Sequence, residues 1–153
     1  MIEMTKKAIV VYDTRFGNTE KIAKEIAVGI EEKGIAVTCL NIEAVDPETL
    51  REYDFLAIGG PTHMFGISKS MKEFLEKLEK VDLHDKNAFA FDTKFGSRFA
   101  GSAAKGIEQR LKKLGMNIVR SRSSAIVKGG EGPLEENMEE TFRKIGVEIA
   151  KFL

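Results

Sequence analysis

Short runs of consecutive apolar residues alternate along this 153-residue chain with segments in which apolar positions recur every three or four residues. The runs at 7–12, 35–41, 54–58 and 87–91, and a fifth within 117–127, have the length of buried strands. Helical spacing links Ile22, Ala23, Ile26, Ala27 and Ile30, then Ile67, Met71, Phe74, Leu75 and Leu78. The same spacing links Ala103, Ala104, Ile107, Leu111 and Leu114. A last stripe of Phe142, Ile145, Ile149 and Phe152 predicts a fifth helix opened by Pro133. Gly34 closes the first helix, at about 17–33, and Gly115 closes the one that runs from Ser102 to Leu114. Asp46-Pro47-Glu48 supplies the cap, proline and acidic first turn of a short helix between strands two and three.

Strands alternating with helices predict an α/β protein, a three-layer sandwich with a five-stranded parallel sheet between two helical layers. Right-handed crossovers make 2-1-3-4-5 the natural strand order. Ligands of such sheets bind beyond the C-terminal strand ends, beside the switch between strands one and three. The loops after strands one, three and four therefore carry the expected chemistry.

The first of these loops, Thr14, Arg15, Phe16, Gly17, Asn18 and Thr19, leads from a buried strand into a helix N-terminus. Unpaired N–H groups and the positive end of the helix dipole converge there, which suits a phosphate. Thr14, Asn18 and Thr19 add side-chain donors. The plainer reading is an ordinary joint capped by Asn18 or Thr14. Neither GxxxxGK[ST] nor GxGxxG is present, so a Walker loop and a dinucleotide turn are both excluded.

After strand three come Gly59, Gly60, Pro61, Thr62, His63, Met64, Phe65 and Gly66. The glycines and proline are expected to stop the strand and leave bare backbone that a flat ring can approach. Thr62, His63, Met64 and Phe65 are placed to touch such a ring, although Met64 and Phe65 also suit helix packing. After strand four come Asp92, Thr93, Lys94, Phe95, Gly96, Arg98 and Phe99 among others. Phe95 and Phe99 fit no strand or helix period, so at least one should meet something outside the core. Asp92, at the strand end, is placed either to cap backbone N–H groups, the plainer expectation, or to accept from a ligand N–H. Together the loops suit a ligand with a phosphate at one end and a flat polar ring at the other. A phosphorylation receiver needs an acidic pair after strand one and an aspartate after strand three. This chain has only Asp13 and then Gly59-Gly60 at those places.

Composition narrows the function classes. The 24 basic and 24 acidic residues cancel, and no basic block stands out, which argues against nucleic-acid binding. No apolar run approaches membrane-spanning length. The one cysteine, Cys39, lies in a strand-like run and reads as a core residue of a reduced, cytoplasmic protein. His84 sits in a charged connector and reads as surface. The length suits a single domain over 1–153.

With the three loops in view, the chain resembles the short-chain flavodoxins from strand one to helix five. Their first-loop pattern of hydroxyl, two variable positions, Gly, one variable position and Thr falls on Thr14, Gly17 and Thr19. Phe16 in its setting, and the GGPTH of the second loop, are similar to the flavodoxin module of flavodiiron proteins. The resemblance implies a flavodoxin-like fold and non-covalent FMN, held at residues 14–19, 61–66 and 92–99. It implies a monomer or weak homo-oligomer that shuttles single electrons between redox partners. The alternative is an FMN-dependent NAD(P)H oxidoreductase reducing a quinone or similar acceptor, with His63 as a proton donor. The peptide at Met64–Phe65 or Phe65–Gly66 is the candidate to turn over beside the flavin N5 on reduction.

Two departures from the family stand out. The chain has no tryptophan, and Tyr12 and Tyr53 lie outside the second and third loops. Phe65, His63, Phe95 or Phe99 would then cover the ring faces. Around the loops, Asp13 and Asp92 stand against Arg15, Lys69, Lys94 and Arg98. A cationic rim is expected to favour an anionic reduced flavin and an acidic partner such as a ferredoxin or a reductase face.

Overall fold

Strand β1 (Lys7–Tyr12) is buried along all but its first residue and pairs in parallel with β2 (Ala36–Asn41) and β3 (Phe55–His63). The computed structural model describes residues 6–97 and 99–153. Strand β5 (Asn87–Phe95) follows β3, and the last position is shared by β6 (Asn117–Ile118) and β7 (Ser123–Val127), both parallel to β5. The expected order 2-1-3-4-5 is therefore present, with its fifth strand in two pieces. Buried Glu108 holds the break, accepting from the Arg122 backbone N–H at 2.9 Å. A short extra strand, β4 (Gly66–Ile67), runs antiparallel to the end of β3 and brings the sheet to seven strands.

Alternate residues of each strand face opposite helical layers. Ile9, Val11, Leu56, Ile58, Ala88 and Ala90 pack with α2 (Lys69–Leu78) and α3 (Ala103–Lys113). Val10, Phe55, Ala57, Phe89 and Phe91 pack with α1 (Asn18–Glu31) and α4 (Met138–Ala150). Ser68 and Ser102 cap α2 and α3 by accepting from Met71 and Lys105 N–H. Cys39 is half-buried against the second of these cores.

Several sequence expectations are corrected. The segment after Asp46 forms a 3-10 helix, Pro47–Glu52, preceded by another over Ile42–Ala44. Each buries one apolar residue, Leu50 and Ile42, too few for an α-helical stripe. Strands three and four do not stop at residues 58 and 91. They continue in register through Gly59↔Phe91, Gly60↔Asp92 and Pro61↔Thr93. Gly59 serves the sheet rather than a ligand, because a Cβ there would lie 2.4 Å from the Phe91 ring. Ile67 belongs to β4 and not to the following helix. Pro133 does not open the last helix: Leu134 instead bridges back to Val127, and α4 begins at Met138. Phe152 lies beyond that helix and is 57% exposed.

Candidate functional site

The first loop ends at Gly17, whose φ of +90° places it in the left-handed region at the N-cap of α1. That conformation suits glycine, and glycine has no side chain to occupy the helix end. No side chain of the described residues caps α1. Thr14 Oγ accepts from the Gly17 N–H at 3.0 Å, one step ahead of the helix, so the N-terminal turn stays open to an anion. The joint expected as the plain alternative, capped by Asn18 or Thr14, is therefore not what forms. Asn18 Nδ2 donates to the carbonyl of Glu131 at 3.1 Å. The hydroxyl of buried Thr19 bonds that of Thr93 at 2.9 Å, which fastens the first loop to the end of β5.

The second loop is a tight hairpin. Thr62 pairs with Ile67 and His63 with Gly66, leaving Met64 and Phe65 as the two turn residues. Their φ angles are +49° and +71°. Two-residue hairpins of this hand need positive φ at both positions and ordinarily use Asn-Gly. Here two bulky apolar residues take them, and their side chains are 80% and 74% exposed. Phe95 and Phe99 of the third loop are exposed as well, as is Phe16 of the first. Of seven large apolar side chains exposed among the described residues, five stand on these three loops.

Between the loops lies a cleft of about 270 Å³. Thr14, Arg15, Phe16, Asn18 and Thr19 line it from the first loop, and Pro61, Thr62, Met64 and Phe65 from the second. Thr93, Lys94 and Phe95 line it from β5. Gly17, Gly66, Gly96 and Phe99 do not line it. His63 faces an adjoining hollow of about 490 Å³ together with Asp13, Glu43, Ser68 and Lys69. Asp92 is fully buried on the α3 side of β5, where it accepts from the Ala104 N–H at 2.9 Å. Its side chain is a cap, as the plainer expectation had it, and does not reach the cleft.

The sequence reading missed three lining residues, Ala100, Val127 and Gly130. Val127 and Gly130 come from the end of the fifth strand and the turn after it. The expected cationic rim is also revised. Arg98 lies outside the described residues, Asp92 is internal, and Glu43 borders the adjoining hollow. Within the cleft, Arg15 and Lys94 are the charged lining groups among the described residues, and no carboxylate lines it. The Arg15 guanidinium lies 5.4 Å from the centre of the Phe16 ring.

An open helix N-terminus and an apolar slot meet at the switch point of a doubly wound α/β sheet, the place where sheets of this class bind their ligands. The family model for Flavodoxin matches residues 10–145, and the chain belongs to the flavodoxin family. It is 28% identical to a flavodoxin of Clostridium saccharobutylicum, covering 94% of this chain and 95% of that one. An archaeal flavodoxin structure superposes with a TM-score of 0.81 at 26% identity, covering 95% of this chain and 97% of the other. The flavodiiron protein of Giardia intestinalis shares the fold, with a TM-score of 0.79 at 20% identity, and this chain covers 36% of it. Among the described residues, no group of His, Cys, Asp or Glu is placed to hold a metal ion, and no helix is long and apolar enough to cross a membrane.

Proposed function

We propose that the chain binds FMN non-covalently in this cleft and passes electrons between redox partner proteins. The observation that carries the reading is the junction of two chemistries in one cleft. The uncapped N-terminus of α1, with the Thr14 and Asn18 side chains, fits a phosphate. Phe16, Met64, Phe65 and Phe95 fit the faces of a flat ring. Bound FMN would supply the redox chemistry itself.

The chain's part is to bind, orient and tune. Gly17 keeps the helix end open, and the Thr19–Thr93 hydrogen bond holds that end in fixed relation to β5. The Met64–Phe65 turn presents apolar side chains and strained peptides to the slot, and these peptides are the ones proposed to reorient on reduction. Arg15 and Lys94, with no carboxylate lining the cleft among the described residues, bias the site towards an anionic reduced cofactor. They also suit an acidic partner face.

One observation favours the second reading, an NAD(P)H-dependent oxidoreductase. The adjoining hollow shares Thr14, Arg15, Pro61 and Thr62 with the cleft and adds His63, Ser68 and Lys69, which is room and charge for a second nucleotide. An anaerobic absorbance titration of the FMN-loaded protein with NADH and NADPH separates the two. The carrier reading expects the flavin to stay oxidised with both nucleotides and to be reduced by dithionite. Prompt bleaching by either nucleotide would establish the reductase. Loss of FMN on desalting at micromolar protein would overturn both readings.

A further inference from the structure

Adjacent residues at the end of β5 face opposite helical layers, and each ties down a different part of the site. Thr93 points to the α1 side and holds the first loop through Thr19. Asp92 points to the α3 side, is fully buried, and gathers the other two loops onto a single oxygen. Asp92 Oδ2 accepts from Ser102 Oγ at 2.6 Å, from the Ala104 N–H at 2.9 Å and from Thr62 Oγ1 at 3.2 Å. Thr62 Oγ1 in turn accepts from the Ala103 N–H at 3.0 Å. Thr62 is the last paired residue of β3 but one before the Met64–Phe65 turn, while Ser102 begins α3 directly after the third loop. The other carboxylate oxygen, Oδ1, is buried and has no partner among the described residues.

A cap for α3 alone needs only the bonds from Ser102 and Ala104. The bond from Thr62, and its return bond from Ala103, add a cross-link between the two ring-lining loops. We infer that Asp92 is a positioning residue: its Oδ2 fixes the distance between the 62–66 hairpin and the 99–104 segment, and thereby the width of the ring slot. This rests on the FMN reading of the site. The orphaned Oδ1 makes the role separable from charge, because an asparagine can place its carbonyl at the Oδ2 position and keep all three donors.

The test uses the full-length protein as wild type, Asp92→Ala, Asp92→Asn and Ser102→Ala, with two independent readouts. The first is amide hydrogen exchange without flavin. Asp92→Ala is expected to speed exchange in residues 62–67 and 99–104 together, with Asp92→Asn close to wild type. The second is titration with FMN and with riboflavin, which lacks the phosphate, together with visible circular dichroism of the bound flavin. Asp92→Ala is expected to weaken both ligands by the same factor, about tenfold, and to alter the dichroism, because the slot is disturbed and the phosphate cradle is not. Asp92→Asn should recover most of that loss.

Ser102→Ala removes one donor and should shift both readouts in the same direction by less, which serves if Asp92→Ala does not fold. Unchanged exchange in the hairpin would overturn the cross-link. Altered exchange with unchanged affinities and dichroism would reduce Asp92 to a helix cap and overturn the positioning role. A wild-type protein that binds neither ligand would overturn the FMN reading itself, and the exchange data would then stand as a measure of the cross-link alone.

Discussion

The α-carbon of Gly101 lies directly against the backbone of Phe65: a Cβ at Gly101 would come within 2.1 Å of the Phe65 carbonyl oxygen. Gly101 also has a φ of +75°. The third loop thus buttresses the strained hairpin of the second at a point where only glycine fits. Gly101→Ala should cost roughly 1–2 kcal/mol for the left-handed backbone alone. It should also push the Met64–Phe65 turn outward and weaken FMN by about tenfold. Chemical denaturation and a flavin fluorescence titration on one preparation check both. An affinity within twofold of wild type would show that the hairpin does not depend on this contact.

The Thr19–Thr93 bond makes a different prediction. Thr93→Val keeps the shape of the side chain but leaves the buried Thr19 hydroxyl without its 2.9 Å partner. The loss should be about 1–3 kcal/mol of stability, the cost of one unsatisfied buried polar group. Double replacement of Thr19 and Thr93 by Val should be less destabilising than the sum of the single changes, since neither hydroxyl is then left unpaired. Urea unfolding of the four proteins closes the cycle, and strict additivity would rule the coupling out.

Much of this site is legible in the sequence because loop chemistry at strand ends is local. Thr14 to Thr19 read directly as an anion loop, and Phe95 and Phe99 read as residues without a place in the core. Three features were not local. The end of β3 was hidden because Gly59 resembles a breaker until the Phe91 ring on the neighbouring strand is known to fill the missing Cβ position. The hairpin at Met64–Phe65 lacks the Asn-Gly signature of its turn, so nothing short-range marks it. The start of α4 was misplaced because Leu134 is captured by Val127, a tertiary pairing that delays the helix after Pro133.

Asn18 distinguishes the phosphate from the ring. Its side chain now donates to the Glu131 carbonyl from the first position of α1. Asn18→Asp removes that donor and puts a negative charge where the cofactor phosphate is proposed to bind. FMN affinity should fall by about tenfold or more, while riboflavin affinity changes little. Parallel titrations with the two flavins check this. Equal losses for both would move the phosphate away from the α1 N-terminus.

Alkaline stability depends on two protons held inside the first half of the chain. Burial pushes the Cys39 thiol up from 9.0 to about 11. Burial, reinforced by the hydrogen bond that Tyr12 Oη donates to Glu20 Oε1 at 3.1 Å, pushes the Tyr12 phenol up from 10.0 to about 12. Both pKa values are raised in the folded state, so the fold holds these protons more tightly than the unfolded chain does. The resulting stabilisation is complete below about pH 9 and is lost as pH rises through about 11 for the thiol and about 12 for the phenol. Unfolding free energy should therefore fall between about pH 9 and 12. Tyr12→Phe should flatten the upper part of that slope and Cys39→Ala the lower part. The same raised thiol should label more slowly with a thiol reagent at pH 8 than it does in the denatured chain. Denaturation curves across the range for the two variants decide the assignment: an unaltered slope in Tyr12→Phe would place the upper titration on other groups, since the phenol proton is then absent and its contribution with it.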